Sequence, residues 1–126
     1  MKQINVNIWD DYHDDGYVPE GEKQETYAYV ECDLNQNDCE KVLNLIKVEI
    51  EQLYQPSWNL KLSVEFYDSE KVYPNLVGTE HAFCLYKRWQ LEIKNLTHKD
   101  REILVEELGK KKLSYSNIPI VVYSES

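Results

Sequence analysis

Apolar and polar residues alternate strictly near the start of the chain, where Asn5 and Asn7 separate Ile4, Val6 and Ile8. A period of two sends successive side chains to opposite faces, so this segment predicts a half-buried β-strand. Residues 26–32, TYAYVEC, are rich in aromatic and small apolar side chains and predict a second strand, paired with the first as a hairpin. The period then lengthens. Cys39, Val42, Leu43, Ile46, Ile50, Leu53 and Tyr54 recur at helical spacing, with Asn37, Asp38 and Glu40 forming a cap-like start and Gln55 and Pro56 ending the helix.

Period two returns at Leu60, Leu62, Val64 and Phe66, with Lys61, Ser63, Glu65 and Tyr67 in the opposite phase. A connection over residues 68–78 carries the turn formers Pro74, Asn75 and Gly78. A longer strand is expected beyond it, with Phe83, Leu85, Trp89, Leu91 and Ile93 in one phase and a bulge near Lys87 and Arg88 where that phase is interrupted. Thr97 followed by Asp100 signals the cap of a second helix, striped by Ile103, Leu104 and Leu108. Gly109 is expected to end that helix, with Lys110, Lys111 and Lys112 at its negative end. Ile118, Ile120 and Val122 predict a last strand in which Pro119 suits an edge.

With the first strand set aside, the order is strand, helix, strand, strand, helix, strand. The expectation is therefore an α+β fold in a single domain, 1–126: a ferredoxin-like βαββαβ core, with an antiparallel sheet and two helices on one face, preceded by an extra N-terminal strand. The helix-free face would then carry Lys61, Ser63, Glu65 and Tyr67, joined by Cys84, Tyr86, Arg88, Gln90 and Glu92. Tyr123, Val121 and either Tyr27 or Tyr29 extend the same set. Such a face can stack flat ligands, pair with another subunit, or lie under the N-terminal strand.

Composition narrows the function. A chain of 126 residues with 42% hydrophobic residues can bury a core without metal or disulfide staples. It has no run of eighteen apolar residues and no leader-like start, so a cytoplasmic protein without a membrane span is expected. The net charge of −9 repels phosphate backbones, which argues against direct nucleic-acid binding and suits a partner with a basic surface. Much of that charge sits in residues 10–25, DDYHDDGYVPEGEKQE, expected to form the hairpin tip. Asp10, Asp11, His13, Asp14 and Asp15 are its candidate partner contacts.

Hard oxygen ligands flank His13, but the stretch lacks the glycine and the terminal glutamate of a calcium loop. Cys32, Cys39, His81 and Cys84 are zinc-ligand types at spacings that common structural sites do not use, and His81 and Cys84 would face opposite ways on a strand. Glycine-rich phosphate loops and serine-centred elbows are missing. No cofactor and no catalytic residue is assigned.

Small size, acidity and a lysine-, asparagine- and tyrosine-rich composition look like an accessory protein of a bacteriophage or mobile element. The expected function is binding. The chain would inhibit host defence, either by blocking a basic host protein with its acidic loop or by sequestering a small nucleotide-like ligand as a homo-oligomer. Tyr67, Tyr73, Asn75, His81, Tyr86 and Arg88 are the candidate ligand contacts, offering rings for stacking and cationic groups for phosphate. A metal-assisted hydrolase built on His13 and its aspartates, acting on a phosphorylated small molecule, and a structural oligomeric subunit are the alternatives.

Overall fold

The computed structural model describes residues 2–11, 23–53 and 58–125. Its strands are β1 (Ile4–Asp11), β2 (Lys23–Val30), β3 (Lys61–Asp68), β4 (Lys87–Thr97), β5 (Ser114–Tyr115) and β6 (Ile118–Glu125). Its α-helices are α1 (Gln36–Leu53), α2 (Ser69–Val72) and α3 (His98–Lys110). The six strands form one sheet in the order β3-β4-β2-β1-β6-β5.

The expected β1–β2 pairing is present, with Val6 opposite Val30 and Ile8 opposite Ala28. The sheet is mixed rather than antiparallel, because β1 runs parallel to β6, with Ile4 opposite Ile120 and Val6 opposite Val122. β1 is thus no appendage: it lies between β2 and β6. Its inward residues Ile4, Val6 and Ile8 are completely buried, which a strand at the margin of the sheet would not achieve. They join Val42, Leu43, Ile46 and Ile50 of α1, Leu104 and Leu108 of α3, and Leu91, Ile93 and Leu96 of β4 in one core on the helix side.

Several local expectations are corrected. The expected bulge near Lys87 and Arg88 is absent, because β3 and β4 pair without a break from Lys61–Lys94 to Asp68–Lys87. The irregularity falls instead where Gln24 pairs with Leu96 and Thr26 with Ile93. One extra β4 residue is accommodated there by Asn95 in the left-handed region (φ 72°), a conformation that asparagine tolerates. Past that bulge the phase flips, which is why Leu96 points into the core along with Leu91 and Ile93.

β4 begins only at Lys87, so Phe83 and Cys84 are not strand residues; they lie in a 3₁₀ turn, Ala82–Cys84, where Phe83 is 82% exposed. His81 immediately precedes the same turn, so the opposite-face argument does not apply to it. The cap of α1 is supplied by Asn35, whose Oδ1 accepts from the Asp38 amide at 2.9 Å, and not by Asn37. Thr97 caps α3 as expected, accepting from the Asp100 amide at 3.1 Å. α3 continues through Gly109 to Lys110, and Arg101, not Ile103, completes its buried stripe with Leu104 and Leu108. No helix is long and apolar enough to cross a membrane among the described residues.

Candidate functional site

The helix-free face of the sheet collects the outward phase of four adjacent strands. Tyr67 comes from β3, Arg88 and Gln90 from β4, Tyr27 and Tyr29 from β2, and Asn7 and Trp9 from β1, in the lateral order that the sheet imposes. Tyrosine suits such a surface, since its ring packs on the sheet while the hydroxyl remains wet. The connection between β3 and β4, residues 69–86, folds over one side of this face as α2 and two 3₁₀ turns. Between the connection and the sheet lies a cleft of about 380 Å³.

Two ring pairs border the cleft. Trp9 and Tyr27, directly opposite each other across β1 and β2, have centroids 6.0 Å apart. Tyr67 and Tyr86 are 5.2 Å apart at an interplanar angle of 34°. Tyr73 and Leu76 add a wall, while Arg88 and Gln90 also line the cleft.

Arg88 is held by aromatic rings. Its guanidinium carbon lies 3.7 Å from the Tyr29 centroid and 4.6 Å from that of Tyr86. Stacking on ring faces suits a planar, weakly hydrated cation. Arg88 has no ion pair with Glu65, Glu92 or any other described carboxylate, and its Nε is buried without a hydrogen-bond partner among the described residues. The Tyr67 hydroxyl is pushed above the ordinary tyrosine range, chiefly by burial and next by its tyrosine neighbours, so the ring is neutral at physiological pH.

Two polar clusters fix these rings. Ser69, almost fully buried at the start of α2, donates its hydroxyl to the Tyr86 carbonyl at 2.8 Å and accepts from the Tyr86 amide at 2.6 Å. That reciprocal pair clips the connection to the start of β4. On the other side, Asn7 donates to the Tyr29 hydroxyl at 2.9 Å and to Glu31 at 3.1 Å, and the hydroxyls of Tyr29 and Tyr123 donate to the two oxygens of Glu31. Burial, followed by the bond to Glu31, raises the Tyr29 pKa.

Of the candidate ligand contacts, Tyr67, Tyr73, Tyr86 and Arg88 come together in this cleft. Asn75 and His81 are not among its lining residues. Asn75 sits exposed in the 3₁₀ turn Pro74–Leu76, and His81 lies 3.4 Å from Glu80 with its ring 6.5 Å from Phe83. Sequence reasoning missed the Trp9–Tyr27 pair, Ser69, Leu76 and Leu85. Trp9 did carry a signal, as the one aromatic residue in the otherwise polar outward phase of β1. Of the candidate partner contacts, Asp10 and Asp11 end β1 opposite Thr26 and Glu25, while their side chains, and His13, Asp14 and Asp15 entirely, lie outside the described residues.

Cys32 and Cys39 are half-buried, Cys84 is exposed, and all three are free thiols. Burial pushes the Cys39 thiol upward, away from the reactive thiolate. No group of three or more potential metal ligands occurs among the described residues. No protein-family model, curated protein or solved structure matches the chain.

Proposed function

We propose that the chain is a binding protein whose helix-free face holds a flat, anionic small molecule of the nucleotide class. The carrying observation is the placement of Arg88, over the rings of Tyr29 and Tyr86, in a cleft that Trp9, Tyr27, Tyr67 and Tyr73 also line. Stacking immobilises the guanidinium plane before any ligand arrives, so little rotamer entropy is left to lose when its N–H groups meet a phosphate. The rings of Trp9, Tyr27, Tyr67 and Tyr73 supply faces for a base. The cleft volume falls within the range of small-ligand sites, about 300–1,000 Å³.

Holding, rather than converting, such a ligand accords with the lining. It consists of rings, one guanidinium, the Gln90 amide, aliphatic side chains and the Cys84 thiol, with the Ser69 hydroxyl already committed to Tyr86 and no carboxylate or imidazole among the described lining residues to serve the thiol as a base. The scaffold is taken to be a ferredoxin-like βαββαβ unit, β2 to β6, with β1 inserted between its first and last strands. The proposed setting, a phage or mobile-element protein that withholds a nucleotide-like signal from host defence, rests on the composition, and the cleft supplies the place where such a signal would be held.

The test is a titration of the purified protein with nucleoside monophosphates and cyclic nucleotides, followed by tryptophan fluorescence, because Trp9 borders the cleft. Saturable binding that Arg88→Ala weakens is the expected result. Absence of binding at millimolar ligand, or binding indifferent to Arg88→Ala, overturns the proposal.

A further inference from the structure

We infer that β3 pairs with β3 of a second copy, forming a two-fold dimer whose sheet is continuous across both subunits. β3 is a margin of the sheet, hydrogen-bonded to β4 on one side and to no described strand on the other. It is eight residues long, contains no proline, and pairs with β4 without a bulge, so three common protections of a strand margin are missing.

The sequence of β3 selects a single register. In an antiparallel pair, directly opposed residues share a face, so a two-fold axis must pass through one residue, and only Val64 or Glu65 uses most of the strand. An axis at Glu65 sets that carboxylate against its own copy, a destabilising like-charge pair. An axis at Val64 instead sets Leu62 opposite the partner's Phe66 and Ser63 opposite the partner's Glu65. Lys61 then lies diagonal to the partner's Glu65, within reach of a long side chain. Lys61 has no ion pair in the single chain among the described residues, and Glu65 is crowded by the Glu92 carboxylate with Lys94 only partly offsetting it, so the dimer brings Lys61 a first carboxylate and Glu65 a second cation.

The apolar side is complementary as well. Phe66 is 45% exposed although it belongs to the inward phase. Beside Leu62 a groove of about 350 Å³ runs along the sheet margin, lined by Leu60, Leu62 and Ile50 between Lys47 and Glu51. The Val64 register delivers the phenyl ring of each copy to the other copy's groove. It also sets Lys61 of the partner subunit opposite Tyr67, which lines the ligand cleft, so each cleft gains a cation from the other chain. The dimer itself stands whether or not the cleft binds a nucleotide.

Sedimentation velocity across a concentration series is the experiment, with charge reversals as probes. A species of twice 15.0 kDa is expected in the wild type. Lys61→Glu and Glu65→Lys should each weaken it by about tenfold, and the double reversal should restore it. A monomer at every concentration, or a dimer indifferent to both single reversals, overturns the inference. The register is read independently in a chain freed of Cys32, Cys39 and Cys84. Val64→Cys should oxidise to a covalent dimer, and cross-linking at Glu65→Cys in its place overturns the pairing. Nucleotide binding by a monomer leaves the cleft intact and removes only the dimer.

Discussion

The guanidinium carbon of Arg88 lies over the Tyr29 ring, 3.7 Å from its centroid, and over the Tyr86 ring at 4.6 Å. These rings come from β2 and from the residue that precedes β4, so the cation is gripped by two separate stretches of chain. In a molecule of net charge −9, an arginine held by rings instead of by a carboxylate keeps its charge unneutralised for an incoming anion.

Arg88→Ala is therefore expected to lower affinity for a nucleoside monophosphate by about tenfold to a hundredfold, the worth of a hydrogen bond to a charged group. Arg88→Lys should recover only part of the loss, because an ammonium keeps the charge without the stacked plane or the fork of donors. Fluorescence titration of all three proteins measures this. Equal affinities would remove Arg88 from the site.

Ser69 acts on the cleft through Tyr86. Its hydroxyl satisfies both backbone groups of that residue from a position only 2% exposed. Ser69→Ala leaves those groups with one remaining contact, the Ser69 amide on the Tyr86 carbonyl at 3.0 Å. The expected cost is about 1–3 kcal/mol in urea unfolding, together with weaker ligand binding. Ser69→Thr, which keeps the hydroxyl, should restore binding if the role is positional; failure of threonine and alanine alike would point to the space under α2 instead.

Asn7 plays the corresponding part beneath Tyr29. It is completely buried and donates to both Tyr29 and Glu31. Asn7→Ala should lower stability by about 1–3 kcal/mol, because it removes two hydrogen bonds made by a fully buried side chain. It should also loosen the ring on which Arg88 rests. Unchanged ligand affinity in a folded Asn7→Ala protein would show that the Glu31 cluster and the cleft are independent.

Period-two patterning located β1, β3 and β6, because each buries one face, and the helices were legible for the same reason at their longer period. The position of β1 was not. Alternation states that a strand has an inside, and Ile4, Val6 and Ile8 would alternate in the same way beside β2 alone or between β2 and β6. Phe83 misled for a related reason: its apolar side chain matched the phase of Leu91 and Ile93, yet the Ser69–Tyr86 clip ends the connection only at β4. Tyr67, Tyr86 and Arg88 were placed on one face from local phase alone. Trp9 and Tyr27 needed the β1–β2 register, and Ser69 needed a contact across seventeen residues, neither of which a single strand's pattern contains.

Glu65 gives the fold a pH dependence whose sign can be worked out. Partial burial, then the neighbouring Glu92 carboxylate, holds its pKa above the ordinary glutamate range. A carboxyl with a raised folded-state pKa binds its proton more tightly folded than unfolded. Its contribution is therefore fully present below the ordinary value of about 4.3 and is lost as pH rises through the raised value. At neutral pH the charged pair opposes folding, and because the site is solvent-accessible the effect is small. Glu65→Gln retains a hydrogen-bonding side chain without the charge. Measured on dilute protein, where self-association does not enter, the variant should melt higher than wild type at pH 7 by no more than about 2 °C. The gap should close as pH approaches 4, where the wild-type carboxyl takes up its proton. A variant that melts lower at pH 7, or a gap that widens on acidification, would show that Glu65 is stabilised by Lys94 and Gln90 more than it is opposed by Glu92.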